Sequence, residues 1–207
     1  MSSVLAERCD AAGIPVVLFN RAQQEDRFST VTSDNFAGGK ALAEFLVAGG
    51  HRRIGYIAGW EGASTQRDRE AGFCTGLAEH GHKLFARGVG DFRTETAANA
   101  ARAMFSASEF PDAVFVANDH MAFAVIEELR SNLGLRVPED VSVVGYDDVQ
   151  LSRWSSFDLT TVRQPSGEMV AETVAALMAQ IEDGETEPRR VKIDGPLVVR
   201  GLSLIHI

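Results

Sequence analysis

Cysteine is scarce in this sequence. Cys9 and Cys74 lie far apart, show no Cys-x-x-Cys spacing, and each falls in helix-like sequence. Both thiols are therefore read as reduced and structural, which excludes a disulfide framework. Positive charge is also in deficit, with 20 Lys and Arg against 29 Asp and Glu and a formal net charge of -9. Such a chain lacks the clustered cations with which proteins grip nucleic-acid phosphates, so any DNA role must lie outside this stretch. No apolar run is long enough to span a membrane, and no basic, apolar, small-residue signal opens the chain. The expected compartment is the cytoplasm. Internal repeats and low-complexity tracts are missing too. With 45% apolar and 24% charged residues over 207 positions, the composition is that of an ordinary globular protein, enough for one large domain or two small lobes.

The motifs of the common catalytic classes are equally missing. Gly88-Val89-Gly90 lacks the third glycine and the strand-to-helix setting of a dinucleotide fingerprint, and there is no P-loop, nucleophile elbow or His-Glu-x-x-His. His80-Gly81-His82 has no third ligand at a convincing spacing, so no metal is expected, and no cofactor either. Asp147-Asp148 invites reading as an acid/base pair or as magnesium ligands. Adjacent residues on a strand point to opposite faces, however, so both reach one site only where the strand has already ended.

What is present is a set of four apolar runs that each stop abruptly at polar residues. Val16-Val17-Leu18-Phe19 stops at Asn20, residues 54–58 stop before Trp60-Glu61, 113–117 stop at Asn118-Asp119, and 141–146 stop at Asp147-Asp148. Three of them lead into helix-like sequence, which predicts strands of a parallel sheet with their carboxyl ends on one edge. In open α/β sheets ligands sit at that edge, because the loops diverge there.

Between these runs the helical period recurs. A helix closes at Gly13 before Pro15; Asp34 caps another with Ala41, Leu42, Phe45 and Leu46 on its inner stripe, stopped by Gly49-Gly50. Helices follow over about 65–80, around Ala97 to Phe105, and from Ala122 to Leu129, the last stopped by Gly134 and Pro138. After Asp148 comes an irregular stretch, then a β-branched segment at 159–162 that Pro165 stops. A further helix places Met169, Val170, Thr173, Val174, Leu177 and Ile181 on one face. Strand-like 190–193 and 197–200 finish the pattern, and Leu202 to Ile207 read as an appended, non-native tail without turn or cap logic.

Several motifs occur in order: Asp34-Asn35 with Gly38-Gly39, Gly50-His51-Arg52-Arg53-Ile54-Gly55-Tyr56-Ile57-Ala58-Gly59, Arg69-Glu70-Ala71-Gly72-Phe73, and Ala117-Asn118-Asp119. Val137-Pro138-Glu139-Asp140-Val141-Ser142-Val143-Val144-Gly145-Tyr146-Asp147-Asp148 and Leu159-Thr160-Thr161-Val162-Arg163-Gln164-Pro165 follow. Over nearly the whole chain this resembles the effector-binding domain of LacI/GalR-type bacterial transcription regulators. The resemblance implies a type I periplasmic-binding-protein-like α/β fold, two doubly wound parallel-sheet lobes joined by three crossing strands. It places residues 1–31 and 163–194 in an amino-terminal lobe that is incomplete, and 32–162 with 195–201 in the carboxyl lobe. The amino-terminal DNA-binding headpiece of the family is not in this sequence. Apolar faces such as Val16, Leu18, Val170 and Leu177 are then expected to lack partners.

The resemblance also implies function: a small-molecule effector, expected to be a sugar, a homodimer, and operator DNA met only through the headpiece, with no membrane partner and no enzymatic activity. Residue by residue, the family pattern puts effector contacts at Thr65, Arg69, Phe92, Asn118 and Asp147, with Asn20 contributing from the other lobe. The residue types suit a polyol. A carboxylate accepts hydroxyl protons, a guanidinium donates a fork of hydrogen bonds, an amide does both, and an aromatic ring covers the apolar side. Structural roles compete: Arg69 could pair with Glu70 or a carbonyl, Asp147 could cap a turn, and Phe92 could be core. The rival functions are a periplasmic sugar receptor of a transport system and, from another class, an α/β enzyme using Asp147 and Asp148.

Overall fold

The computed structural model describes residues 3–21, 27–184 and 186–203. They fall into two compact units, a smaller one of Met1–Asp34 with Pro165–Asp194 and a larger one of Asn35–Gln164 with Gly195–Ile207.

In the smaller unit, helix α1 (Ser3–Ala11) ends at Gly13, whose φ of 67° suits a residue without a side chain. Strands β1 (Val17–Phe19) and β2 (Ser29–Ser33) pair in parallel, and β2 pairs in parallel with the late strand Arg190–Ile193. The run at 16–19 therefore belongs to a separate three-stranded sheet, not to the sheet of the other three apolar runs as its spacing alone suggests. Leu18 and Phe28 form its small buried cluster, with Val16 packed against them, so Val16 and Leu18 do have partners.

The larger unit holds the main core. Helix α2 (Asn35–Ala48), β3 (Ile54–Ala58), α3 (Ser64–Glu79), β4 (Ala86–Val89), α4 (Thr94–Phe105), β5 (Ala113–Val116), α5 (Asp119–Glu127), β6 (Ser142–Asp147) and β7 (Thr160–Arg163) follow in sequence. The chain then passes through α6 (Ser166–Glu182) and β8 (Arg190–Ile193) of the smaller unit and returns as β9 (Leu197–Val198). The six-stranded sheet runs β4-β3-β5-β6-β7-β9, parallel except for β9. Strands β3 and β5 are buried throughout, as expected of apolar runs covered by helices on both faces. The strand order reverses between β3 and β5, and in doubly wound sheets the crevice for a ligand opens at such a reversal.

Glycine decides how α2 and α3 meet. A Cβ on Gly39 would collide with the Arg69 carbonyl oxygen, and one on Gly72 with that of Phe36. The two helix backbones touch there, which seats Arg69 beside the first residue of α2.

Leu202 and Ser203, read as the start of an appended, non-native tail, are buried in the larger unit. Leu202 N–H donates to the Asp158 carbonyl at 3.1 Å, the Leu202 carbonyl accepts from Val143 N–H at 3.0 Å, and Ser203 Oγ bonds Thr160 Oγ1 at 2.7 Å. An apolar residue four positions beyond the closing strand finds the core edge, whatever its neighbours are. Residues 204–207 lie outside the described residues.

Helix α6 turns Met169 and Ala176 inward, while Val170, Val174, Met178 and Ile181 are exposed, each by more than a third of its surface. Leu177 is half-buried. A contiguous apolar stripe of this kind promotes association. The chain should bind a hydrophobic dye and self-associate in sedimentation runs, and the double substitution Val174→Gln, Ile181→Gln should reduce both. A dye signal unchanged by that substitution would place the exposed surface elsewhere.

Candidate ligand site

The carboxyl ends of the parallel strands in the larger unit carry Phe92 after β4, Gly59-Trp60 after β3, Asn118 after β5, Asp147 on β6 and Gln164 after β7. Arg69 reaches the same edge from α3. It is 3% exposed, and each arm of its guanidinium is engaged. Nε donates to Asn35 Oδ1 at 2.8 Å, Nη1 to the Ala117 carbonyl at 2.6 Å, and Nη2 to Asp147 Oδ1 at 3.2 Å. Its Cζ lies 3.7 Å from the Tyr146 ring centroid, a cation-π distance. The sequence alternative of a pair with Glu70 does not hold, because Glu70 is bound by Arg87.

Asp147 has a φ of 122° and Asp148 one of 53°, so the strand ends there in backbone that side chains rarely adopt. The two carboxylates consequently go to different partners. Asp147 Oδ1 also accepts from Gln164 Nε2 at 2.6 Å, while its Oδ2 takes no hydrogen bond among the described residues. Asp148 is held by Arg163 Nε at 2.6 Å, by Arg200 Nη2 and by Arg153. Burial opposes its charge, but the Arg163 and Arg200 guanidiniums outweigh that and keep its carboxyl below the ordinary range. The pair thus does not converge on one reacting centre. Among the described residues no group of three or more His, Cys, Asp or Glu is placed to hold a metal ion. His80 Nδ1 instead meets the Gly76 carbonyl at the end of α3.

The remaining candidates keep part of their surface for other work. Asn118 caps α5, its Oδ1 accepting from Met121 N–H at 3.0 Å. Thr65, in the first turn of α3, is 8% exposed. Phe92 is half-buried with a φ of 56°, its ring laid on Gly59, where any Cβ would collide with it. Asn20 belongs to the smaller unit; it follows β1 with a φ of 54°, and its Oδ1 is buried with no hydrogen-bond partner among the described residues.

A buried arginine holding a half-buried carboxylate at the carboxyl edge of a doubly wound sheet can be compared with known proteins. Residues 43–203 match the periplasmic binding protein-like domain. The chain belongs to this family. Within it, the similar proteins are LacI/GalR-type regulators. The chain is 36% identical over 200 residues to the HTH-type transcriptional regulator CelR of Thermobifida fusca, covering 95% of this chain and 58% of that protein. It is 31% identical over 199 residues to the HTH-type transcriptional repressor PurR of Photobacterium profundum, with the same two coverages. Among solved structures, a complex of the transcriptional regulator CelR with cellobiose superposes with a TM-score of 0.89 at 34% identity, over 96% of this chain and 62% of that one. The lac repressor dimer bound to operator and the anti-inducer ONPF gives 0.87 at 27%, over 97% and 60%. The chain therefore spans about 58% of the length of the curated relatives it matches.

Three residues of this LacI/GalR-type domain escape a reading by motif. Asn35 and Gln164 lie inside quoted motifs but gain their meaning only from contact with Arg69 and Asp147. The third is Asp119, fully buried, whose Oδ2 accepts from Ser152 Oγ at 2.7 Å and Val149 N–H at 3.0 Å, and whose Oδ1 accepts from Thr161 Oγ1 at 2.7 Å. It ties the start of α5 and the loop after β6 to β7, which fixes the ends that carry Asn118 and Asp147. Its signal in the sequence is a single acid after an Asn N-cap, indistinguishable from a solvated first-turn acid.

Burial pushes the Asp119 carboxyl up to about 6, the Ser152 and Thr161 hydroxyls resist, and the nearby Asp147 charge adds to the rise. An unfolded Asp titrates near 3.9. Between those values the folded chain keeps a proton that the unfolded chain has lost. This group's contribution to stability is thus greatest below about pH 4 and declines as pH rises to about 6, by on the order of 2–3 kcal/mol. Urea melts of wild type and Asp119→Asn across that window should differ in slope in this direction, and equal slopes would refute the assignment.

Proposed function

We propose that this chain is the effector-binding part of a cytoplasmic bacterial transcription regulator, and that its effector is a sugar or a similarly small polyhydroxylated metabolite. The observation that carries the reading is Asp147, whose Oδ1 is held by Arg69 and Gln164 while Oδ2 remains as an acceptor at the sheet's carboxyl edge. A polyol offers hydroxyl protons to such an oxygen and lone pairs to an amide such as Asn118 Nδ2, and Phe92 supplies an apolar wall. Thr65 adds a hydroxyl from α3; on the smaller unit, Asn20 Oδ1 is an acceptor without a hydrogen bond among the described residues. The chain works as a homodimer; the Phe123–Phe157 ring pair at 4.4 Å and the exposed Trp154 supply apolar surface for it. Ligand affinity that differs between two arrangements of the units shifts the dimer between DNA-competent and DNA-incompetent states. The relatives are regulators, which favours this reading over a transport receptor, and no enzymatic step is assigned to the chain.

The test is calorimetric titration of the chain with cellobiose, ribose and a panel of other mono- and disaccharides. Saturable heat with at least one is expected; none across the panel would overturn the sugar assignment. Operator DNA is met only through the family's headpiece, so gel shifts of this acidic chain at low salt should be blank. A sequence-specific shift would overturn that division of labour.

A further inference from the structure

The chain passes between the two units three times, after Asp34, after Gln164 and after Asp194. The residues flanking these passages are bonded to the charged groups at the sheet edge. Asn35, first after the first passage, accepts from Arg69 Nε at 2.8 Å. Gln164, last before the second, donates Nε2 to Asp147 Oδ1 at 2.6 Å, and its N–H lies 3.3 Å from the Asp147 carbonyl. Next to the third, the Pro196 carbonyl accepts from Arg163 N–H at 2.9 Å, and Arg163 Nε holds Asp148. The Arg69–Asp147 pair thus bridges the first two passages by side-chain bonds alone, in the order Asn35, Arg69, Asp147, Gln164.

The two outer members are neutral amides. A buried amide left without its partner costs less than a buried ion left without one. The chain of bonds is therefore weaker at its two ends than at its charged centre. A ligand that draws on Asp147 or Arg69 redistributes the bonds on Asp147 Oδ1 or Arg69 Nε, and the first groups to feel this are the two residues beside the passages.

We propose that Asn35 and Gln164 are positioning residues that carry ligand occupancy of the Arg69–Asp147 pair to the passages between the units. Neither has to touch the ligand. The proposal deepens the ligand-site reading and rests on it for the identity of the ligand, while the wiring itself can be measured without one.

The experiment is hydrogen exchange with mass-spectrometric readout on the whole chain. In the absence of ligand, Asp147→Ala should speed exchange at peptides covering 33–37 and 162–167 by about three- to tenfold, the range for one lost hydrogen bond, with β3 and β5 peptides unchanged. Residues 33–37 have no hydrogen bond to Asp147, so a purely local effect would not move them. Asp147→Asn, which keeps the acceptor Oδ1, should return both peptides towards wild type. Should Asp147→Ala fail to fold, Gln164→Ala supplies the same readout at 33–37. With cellobiose or ribose added, whichever gives binding heat should alter exchange at both peptides in wild type, at 33–37 but not 162–167 in Gln164→Ala, and at 162–167 but not 33–37 in Asn35→Ala. Unchanged exchange at 33–37 in the ligand-free variants overturns the proposal, as does a sugar response at 162–167 in Gln164→Ala, or at 33–37 in Asn35→Ala, equal to that of wild type. Failure of every sugar to bind overturns the sugar assignment alone, because the ligand-free comparison still decides the wiring.

Discussion

Arg69→Ala should cost the chain about 3–5 kcal/mol of folding stability, the range for removing one member of a buried ion pair. Read from the sequence, Arg69 is an effector contact with pairing to Glu70 or a carbonyl as the competing role. Its surroundings give it a structural part as well. The guanidinium is 3% exposed, bonded to Asn35, Ala117 and Asp147, and stacked on Tyr146, itself 1% exposed. Truncation strips the donor from the Ala117 carbonyl and Asn35 Oδ1, leaves the Asp147 charge with only Gln164, and opens a void over the Tyr146 ring. Arg69→Lys keeps the charge but cannot reproduce a fork that serves three acceptors in different directions, so it should recover only part of the loss. Urea titrations of the three proteins read this directly as shifts in midpoint. A midpoint for Arg69→Ala within error of wild type would show that the arginine is held for the ligand and not for the fold.

The strands that could be read in advance are the ones that the core demands. Strands β3, β5 and β6 are runs of Val, Ile, Ala, Phe and Tyr buried on both faces, and such runs announce themselves. Strands β2 and β4 do not. The first is Ser-Thr-Val-Thr-Ser, whose Ser29 is spent on Gln180 and the Arg189 N–H. The second is Ala-Arg-Gly-Val at the sheet edge, half-buried in alternation, with its Gly88-Val89-Gly90 resembling a loop. Helix α6 shows the opposite failure. Its apolar periodicity is plain, yet the polar Gln180 faces the sheet, with its Oε1 on Val16 N–H, while Val170, Val174 and Ile181 lie exposed. A stripe of apolar residues tells which faces can be buried, and what covers each is a tertiary matter.

The site divides in the same way. Residue types at strand ends point to Asp147 and Asn118 because the strand must stop somewhere and polar residues do the stopping. Asn118 is oriented locally, by Met121 three residues on, but the partners that orient Asp147 come from 17 to 112 positions away in the sequence, as from Gln164 directly and from Asn35 by way of Arg69. No local pattern records such pairs. Asp148 makes the point most sharply, since its chemistry is identical to that of Asp147 and its position differs by one. It is committed to Arg163, Arg200 and Arg153, and so holds β6, β7 and the end of the chain together instead of facing a ligand.

Asp147→Ala should weaken binding of whichever sugar the chain takes by about 2–4 kcal/mol, the scale for removing a charged acceptor from a desolvated contact. Both carboxylate oxygens matter, but for different reasons. Oδ1 is anchored by Arg69 and Gln164, which fixes the rotation of the group; Oδ2 takes no hydrogen bond among the described residues and is the oxygen that a hydroxyl can use. Asp147→Asn separates the two contributions. The amide can keep Oδ1 as an acceptor for its two donors, and it then presents an NH2 where the ligand needs an acceptor, so the site stays ordered and the ligand loses its bond. Asn should therefore rank close to Ala in affinity while keeping more of the wild-type stability than Ala, though not all of it, because Arg69 loses its counter-charge. If the asparagine variant binds as tightly as wild type in calorimetry, the ligand does not use Oδ2, and Asp147 is the anchor of Arg69 and nothing more.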